Sequence, residues 1–337
     1  MNQKYLFFIL LMVSLTYCTF LRENQEIIHD SDSSFLPISD LFFNFGGTIT
    51  PKPSKKETGG EDALLASKYL LGIADGVGSW IFQGIDPRDY SYRLLHNSDV
   101  YFRAYPQAYA NNPKKLLVLS NMTNFYQGSS TAVLCSLSGN KLFSVNMGDS
   151  GYMILSPDLK NKPRNRGTGL VYEISFKSSP QQHRFNFPFQ LGPNSDDPQE
   201  LAETASHNVK EGDIVLVYSD GVGDNLFDEE FLIIVNLYIL DLMRDYGRTL
   251  DDFILFFDPF ELSDRIQKKA FEKSLNKSNV TPFRIEALNW GFITTGGKSD
   301  DIAISVGMVM KKEEEIDQNE DLLDNLEQNE QQDDSEE

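Results

Sequence analysis

The stretch GDIVLVYSDGVGDN, residues 212–225, sets a short apolar strand, Ile214 to Tyr218, directly against Asp220-Gly221. Five consecutive apolar residues bounded by turn residues read as a buried strand, and Asp-Gly reads as its stop. The same texture recurs at Tyr69-Leu-Leu-Gly-Ile-Ala74 before Asp75-Gly76. Thr131 to Leu137 and Lys141 to Met147 read as a hairpin around Ser138-Gly139-Asn140, with a further short strand at Met153–Leu155 and a last one at Ile302–Met310. Helices are expected near 88–105, 228–245 and 261–275. Clustered strands with long helices that do not strictly alternate favour an α+β class over a parallel βαβ sheet.

The 337-residue chain is 40% hydrophobic with 24 Phe and 14 Tyr, enough for a packed core. Of its net charge of −20, thirteen acidic residues fall in 313–337, which hold no Lys or Arg, so residues 1–312 carry only −7. An acidic balance argues against a nucleic-acid partner and suits divalent cations. Two cysteines, Cys18 and Cys135, exclude a disulfide framework and a cysteine zinc site. The four histidines, His29, His96, His183 and His207, show no ligand spacing.

Residues 1–21 resemble a secretory signal peptide: a Lys near the start, an apolar run from Tyr5 to Tyr17, then small residues before Arg22. The secretory pathway or secretion is expected, with an uncleaved membrane anchor or a mitochondrial location as alternatives. Residues 22–58 read as a leader or linker with one edge strand, 59–311 as the folded domain and 312–337 as an acidic, disordered tail.

Strand ends and acids coincide repeatedly. Glu61-Asp62 in GGEDA, Asp75-Gly76 in IADGVGSW, Asp220-Gly221, Asp300-Asp301 in GGKSDDI, and Asp149 in NMGDSGY all adjoin a strand and a small residue. Hard divalent metals take carboxylate, carbonyl and water oxygens. Glycine beside an acid lets backbone approach closely. Each Asp-Gly alone reads as a turn; the set reads as a metal site.

Taken in order, GGEDA, IADGVGSW, GSSTAVLCSL, VNMGDSGY, FPFQLG, GDIVLVYSDGVGDN and GGKSDDIAISV resemble the metal-dependent (PPM, type 2C) protein phosphatases from about Gly59 to Val309. Gln181-Gln182-His183 to Leu191 is similar to a stretch of the mitochondrial type 2C branch. The resemblance implies an α/β/β/α sandwich of two mostly antiparallel sheets flanked by helices. It implies hydrolysis of phosphoserine and phosphothreonine in proteins by a water activated at two Mg²⁺ or Mn²⁺ ions, with a possible third. Asp75 would bridge the pair, the Gly76 carbonyl would serve one ion, Asp220 and Asp300 the other, Glu61 and Asp62 would hold metal-bound waters, and Asp149 would help hold the third. A monomer is expected, with membrane contact only through an uncleaved N-terminal segment.

Two positions depart from the family pattern. Val77 stands where many members have a histidine that protonates the leaving oxygen, and His183 is a candidate substitute. Glu57 stands where many have a phosphate-gripping arginine; Lys55 or Lys56 could serve instead, or be solvated loop lysines. A P-loop reading of Gly297-Lys298-Ser299 fails because Phe292 occupies the position of its first glycine, and a serine-protease reading of Gly148–Gly151 lacks supporting residues. The competing functions are an inactive phosphatase-like binding or regulatory protein and a lumenal Ca²⁺-binding protein, the latter without an EF-hand loop.

Overall fold

The computed structural model describes residues 26–29, 39–157, 172–193, 195, 197–247 and 249–312. The signal-like segment and nearly all of the acidic tail lie outside the described residues. Among those described, no helix is long and apolar enough to cross a membrane.

Strands β1 (Glu26–His29), β3 (Asp62–Ser67), β4 (Leu70–Asp75), β5 (Ala132–Ser138), β6 (Lys141–Met147) and β11 (Glu203–Asn208) form one sheet in the order β1-β3-β4-β5-β6-β11. Strands β2 (Leu41–Thr50), β7 (Gly151–Pro157), β8 (Tyr172–Lys177), β12 (Ile214–Tyr218) and β13 (Ile302–Lys311) form a second in the order β2-β13-β12-β7-β8. Strands β9 (Gln182–Arg184) and β10 (Phe187–Pro188) pair with each other, and among the described residues every pairing is antiparallel except β1 with β3.

The sheets stack face to face, and helices cover both outer faces. Period-two alternation explains the continuous apolar runs: each central strand buries both of its faces. In β12, Val215 and Val217 join the cluster between the sheets while Ile214, Leu216 and Tyr218 pack under the helices. In β3, Leu64 and Ala66 face the other sheet while Ala63 and Leu65 face the opposite helix layer.

Helix α1 (Pro87–Ala104) lies on the first sheet with α2 (Pro113–Met122), inserting Tyr90, Leu94 and Leu95. Asp86 caps α1 by accepting from the Arg88 amide at 3.1 Å, with Pro87 in the first turn. On the second sheet, α4 (Asp228–Tyr246) inserts Phe231, Val235, Tyr238, Ile239 and Leu242, and α5 (Pro259–Leu275) inserts Leu262, Ile266 and Ala270. Both runs keep the three-and-four spacing of one helix face. The result is the α/β/β/α sandwich expected from the motifs.

The edge strand expected within residues 22–58 is Leu41–Thr50, ten residues long and paired along its whole length with β13. Its inward residues Leu41 and Phe43 are buried between the sheets. The folded unit therefore starts well before Gly59. Cys135 lies fully buried in β5, where burial pushes its thiol up, so it is a core residue.

Leu64 is fully buried between the sheets. Leu64→Ala should cost about 2–5 kcal/mol of stability, the usual range for such a cavity, read as a lower urea midpoint with an unchanged slope.

Candidate metal and phosphate site

The acids meet because antiparallel pairing brings strand beginnings beside strand ends. Asp62 opens β3 and is the registered neighbour of Asp75, which closes β4. In the second sheet Asp220 follows the end of β12, and Asp300 precedes the start of its partner β13. Asp149 sits in the turn where the chain passes from β6 of the first sheet to β7 of the second. All five therefore gather at one open end of the sandwich, drawn from both sheets.

Backbone contacts fix these positions. The Asp75 carbonyl accepts from the Thr131 amide at 2.9 Å and from Ser130 Oγ at 2.8 Å. Ser219 and Ala303 exchange bonds across β12 and β13, the Ser219 amide on the Ala303 carbonyl at 3.0 Å and the Ala303 amide on Ser219 Oγ at 3.1 Å. Gly76 passes so close to its neighbours that a Cβ there would lie 2.8 Å from the Glu61 carbonyl oxygen and 2.9 Å from that of Pro87. A side chain at Gly221 would collide with the Asp301 carbonyl. Glycine beside these two acids is thus a packing requirement.

Asp301 has a different role from Asp300. It is buried, and its carboxylate accepts from the Lys52 amide at 2.8 Å and the Glu61 amide at 2.7 Å. It ties the Gly59-Gly60-Glu61 loop and the lysine loop to the start of β13.

Three lysines enter the cluster. Lys298 Nζ pairs with Asp220, with Asp224 at 2.9 Å and with Asp300 at 3.2 Å. Lys52 Nζ lies 3.0 Å from Asp300 and 3.9 Å from Glu61, and Lys55 Nζ contacts Glu61. Lys56 and Glu57 are exposed. The lysine that reaches the site from this loop is therefore Lys55, joined by Lys52, which no local pattern in the sequence marks.

Asp224 and Lys298 also belong to the site. Asp224 carried a legible signal: it follows Asp220 by four residues, one turn of the short helix α3 (Asp220–Gly223) and its cap. Lys298 carried none, since its place depends on Asn225. The Asn225 Nδ2 donates to the Lys298 carbonyl at 2.9 Å, and its Oδ1 accepts from the Lys298 amide at 3.1 Å.

His183 belongs to a neighbouring cleft of about 510 Å³ that it lines with Trp80, Ser129, Arg184, Phe187 and Asp197. Its Nε2 lies 2.7 Å from Asp197 Oδ1. Only the adjacent Gln182 touches the acids, donating to Asp149 Oδ2 at 3.2 Å. The Val77 amide donates to the Ser129 carbonyl at 2.9 Å, so this position is structural.

Eight carboxyl groups (Glu61, Asp62, Asp75, Asp149, Asp220, Asp224, Asp300, Asp301) thus face three ammonium groups. Both carboxylate oxygens of Asp62, Oδ1 of Asp149 and Oδ1 of Asp220 are buried without a hydrogen-bond partner. Unpaired buried carboxylate oxygens in excess over cations are the donor set that hard divalent ions neutralise. In this arrangement no three acidic, imidazole or thiol side chains among the described residues converge closely enough to hold a metal ion. Three of the carboxylates gather on the Lys298 ammonium instead.

Protonation follows the same imbalance. Burial, and then the Asp301 charge, raise the Asp62 carboxyl well above its ordinary value. Burial with Asp62 and Asp220 does so for Asp75, and burial with Asp220 for Asp149. Burial lifts Asp224 to about 7 against the opposing pull of Lys298. Burial also opposes ionisation of Asp300, but Lys298 and Lys52 overcome it and hold that carboxyl below its ordinary value.

A raised carboxyl pKa means that the folded chain keeps protons that the unfolded chain releases near 3.8. Stability from these groups is full below that pH and is lost as pH rises toward their folded values, about 7 for Asp224. Metal-free protein in EDTA should therefore lose stability between about pH 4 and 7. Mn²⁺ should restore it at neutral pH, and Asp62→Asn should flatten the slope. Urea midpoints across that range test this; a metal-free midpoint that rises with pH contradicts it.

No family model matches the chain. It is 33% identical over 298 residues to "Probable protein phosphatase 2C 55" of Arabidopsis thaliana, covering 86% of this chain and 57% of that one. It is 32% identical over 294 residues to "Probable protein phosphatase 2C 71" of Oryza sativa subsp. japonica, covering 87% and 57%. The chain thus spans less than two thirds of the length of these curated relatives. With the 5-azacytidine resistance protein azr1 of Schizosaccharomyces pombe it shares 32% identity over 273 residues, covering 75% of this chain and 83% of that one. The fold is similar to that of the photosystem II phosphatase PBCP, at a TM-score of 0.62 and 23% identity, covering 80% of this chain and 100% of that one. It is also similar to the catalytic domain of the serine/threonine phosphatase PstP in complex with two manganese ions, at a TM-score of 0.51 and 14% identity, covering 80% and 100%. The sequence relatives and the four-layer fold agree with the ordered motifs: the chain belongs to the type 2C (PPM) protein phosphatase family.

Proposed function

We propose that this chain is a divalent-metal-dependent protein serine/threonine phosphatase. The observation that carries the reading is the junction of Asp62 and Asp75 from one sheet with Asp220 and Asp300 from the other, with carboxylate oxygens of Asp62 and Asp220 buried and unpartnered. No residue of the core acid set is missing, which favours an enzyme over an inactive phosphatase-like binding protein.

Asp75, Asp220 and Asp300, with the Gly76 carbonyl, would hold Mg²⁺ or Mn²⁺. Glu61 and Asp62 would position waters on the ions, and Asp149 lies beside Asp220 at the end of the cluster where Lys298 also sits. Bound divalent cations supply a water that is nucleophilic at neutral pH and neutralise charge on the phosphoryl oxygens. The protein supplies rigid placement: each ligand stands at the end of a paired strand, so few degrees of freedom remain to be frozen in the reaction.

Lys52 and Lys55 provide the anion grip. They approach each other closely enough for the Lys52 charge, after burial, to lower the Lys55 pKa. Two adjacent ammonium groups at the rim suit a phosphate dianion. Asp301 fixes Lys52 through its amide, and Arg88 holds the Thr58 carbonyl at the far end of the lysine loop. No histidine stands at Val77 to protonate the leaving oxygen, so that proton would come from solvent held at the acids.

Purified protein should hydrolyse p-nitrophenyl phosphate and a phosphothreonine peptide with Mn²⁺ present. Asp75→Asn or Asp220→Asn should reduce the rate to background. Activity that persists in EDTA, or in both variants, contradicts the metal-dependent reading. Lys55→Ala should raise KM for p-nitrophenyl phosphate about tenfold or more, the loss expected for one charged hydrogen bond, while Lys56→Ala leaves KM unchanged.

A further inference from the structure

Lys298 is the most constrained cation of the site. Its side chain is 13% exposed, and its Nζ contacts Asp220, Asp224 at 2.9 Å and Asp300 at 3.2 Å. The ammonium also lies 5.5 Å from the centroid of the Phe283 ring. Its backbone is clamped at both the amide and the carbonyl by the fully buried Asn225, which also donates to the Gly221 carbonyl at 2.8 Å. The preceding Gly297 is packed so tightly on Ser274 and Lys273 that a Cβ would clash with their backbone. The lysine is thus tied, through Asn225, to the short helix that presents Asp220 and, at its C-cap, Asp224.

This placement is costly unless the charge is used. A buried ammonium is tolerated only among carboxylates that repay its desolvation. Three carboxylates around one ammonium still leave an excess of negative charge, with Asp220 Oδ1 and the nearby Asp149 Oδ1 unpartnered. Asp149 feels the charges of Asp220, Lys298 and Asp224, so all four belong to one end of the cluster.

We infer that Lys298 is a built-in cation: its ammonium fills the space between Asp220 and Asp224 that a divalent ion would otherwise take, and so limits how many divalent ions the chain binds. The inference rests on the metal-dependent reading above but concerns stoichiometry and not turnover. A fixed ammonium supplies one positive charge at that end permanently, independent of the free metal concentration. Removing it leaves Asp149, Asp220 and Asp224 as an uncompensated carboxylate set of the kind that binds a hard cation.

The test counts ions. The full chain, stripped with EDTA and dialysed, is titrated with Mn²⁺ while the free-ion signal is followed by electron paramagnetic resonance. Lys298→Met should bind one more Mn²⁺ per chain than the wild type. Lys298→Arg should keep the wild-type number, and Lys298→Met with Asp224→Asn should return to it. Equal numbers for wild type and Lys298→Met overturn the inference, as does an additional ion that survives loss of Asp224. A wild-type chain that binds no Mn²⁺ overturns the metal-dependent reading as well. Should Lys298→Met fold too weakly without metal for the titration, its thermal midpoint decides. Mn²⁺ should raise that midpoint more than it raises the wild type's, and an equal or smaller rise contradicts the inference.

Discussion

Like charge is expensive to bury, and at one end of this sandwich eight carboxyl groups share a space with three lysines. Nothing in folding favours that arrangement by itself. It persists because the rest of the molecule over-determines it: two sheets, each buried on both faces, set the strand ends, and the strand ends carry the acids. The interface between the sheets therefore does more than stabilise. It holds Asp62 and Asp75 at a fixed offset from Asp220 and Asp300, so displacement of one sheet against the other would open the cluster.

The cations that balance these acids come from two kinds of place. Lys52 and Lys55 lie on a loop whose backbone is tied down by Asp301 and Arg88, with side chains that remain partly open to solvent. Lys298 is locked from within by Asn225. The first pair suits a ligand that comes and goes; the second suits a charge that stays. On the proposed function, that division would separate phosphate recognition at the rim from charge balance at the base.

Much of the fold was legible because its central strands bury both faces and so appear as apolar runs. Ile214–Tyr218 is a strand with the expected limits, and helices at Pro87–Ala104, Asp228–Tyr246 and Pro259–Leu275 follow their apolar spacing. What escaped was structure whose reason lies far away in sequence. An edge strand was expected within residues 22–58, but its limits, Leu41–Thr50, are set by β13, which lies beside it some 250 residues later. Glu203–Asn208 is a polar edge strand with no apolar run to mark it. The site divided in the same way: acids beside strands and glycines were readable locally, whereas Lys52 and Lys298 matter only through Asp301 and Asn225, partners that no local pattern names.

The missing histidine and arginine of the family pattern fit this picture of substitution by position. At Val77 the backbone amide is spent on the Ser129 carbonyl, and the side chain brings no proton to the site. At Glu57 the side chain points to solvent, while two lysines from the same loop reach the acids at Glu61 and Asp300. An arginine offers a planar fork to a phosphate, whereas two ammonium groups offer point charges on separate stems. The exchange keeps the charge and gives up the bidentate geometry. On the proposed function, a phosphate held this way would be constrained mainly by the ions and acids beneath it, which would place a heavier demand on the rigidity of the strand ends and make the packing between the sheets part of the catalytic apparatus.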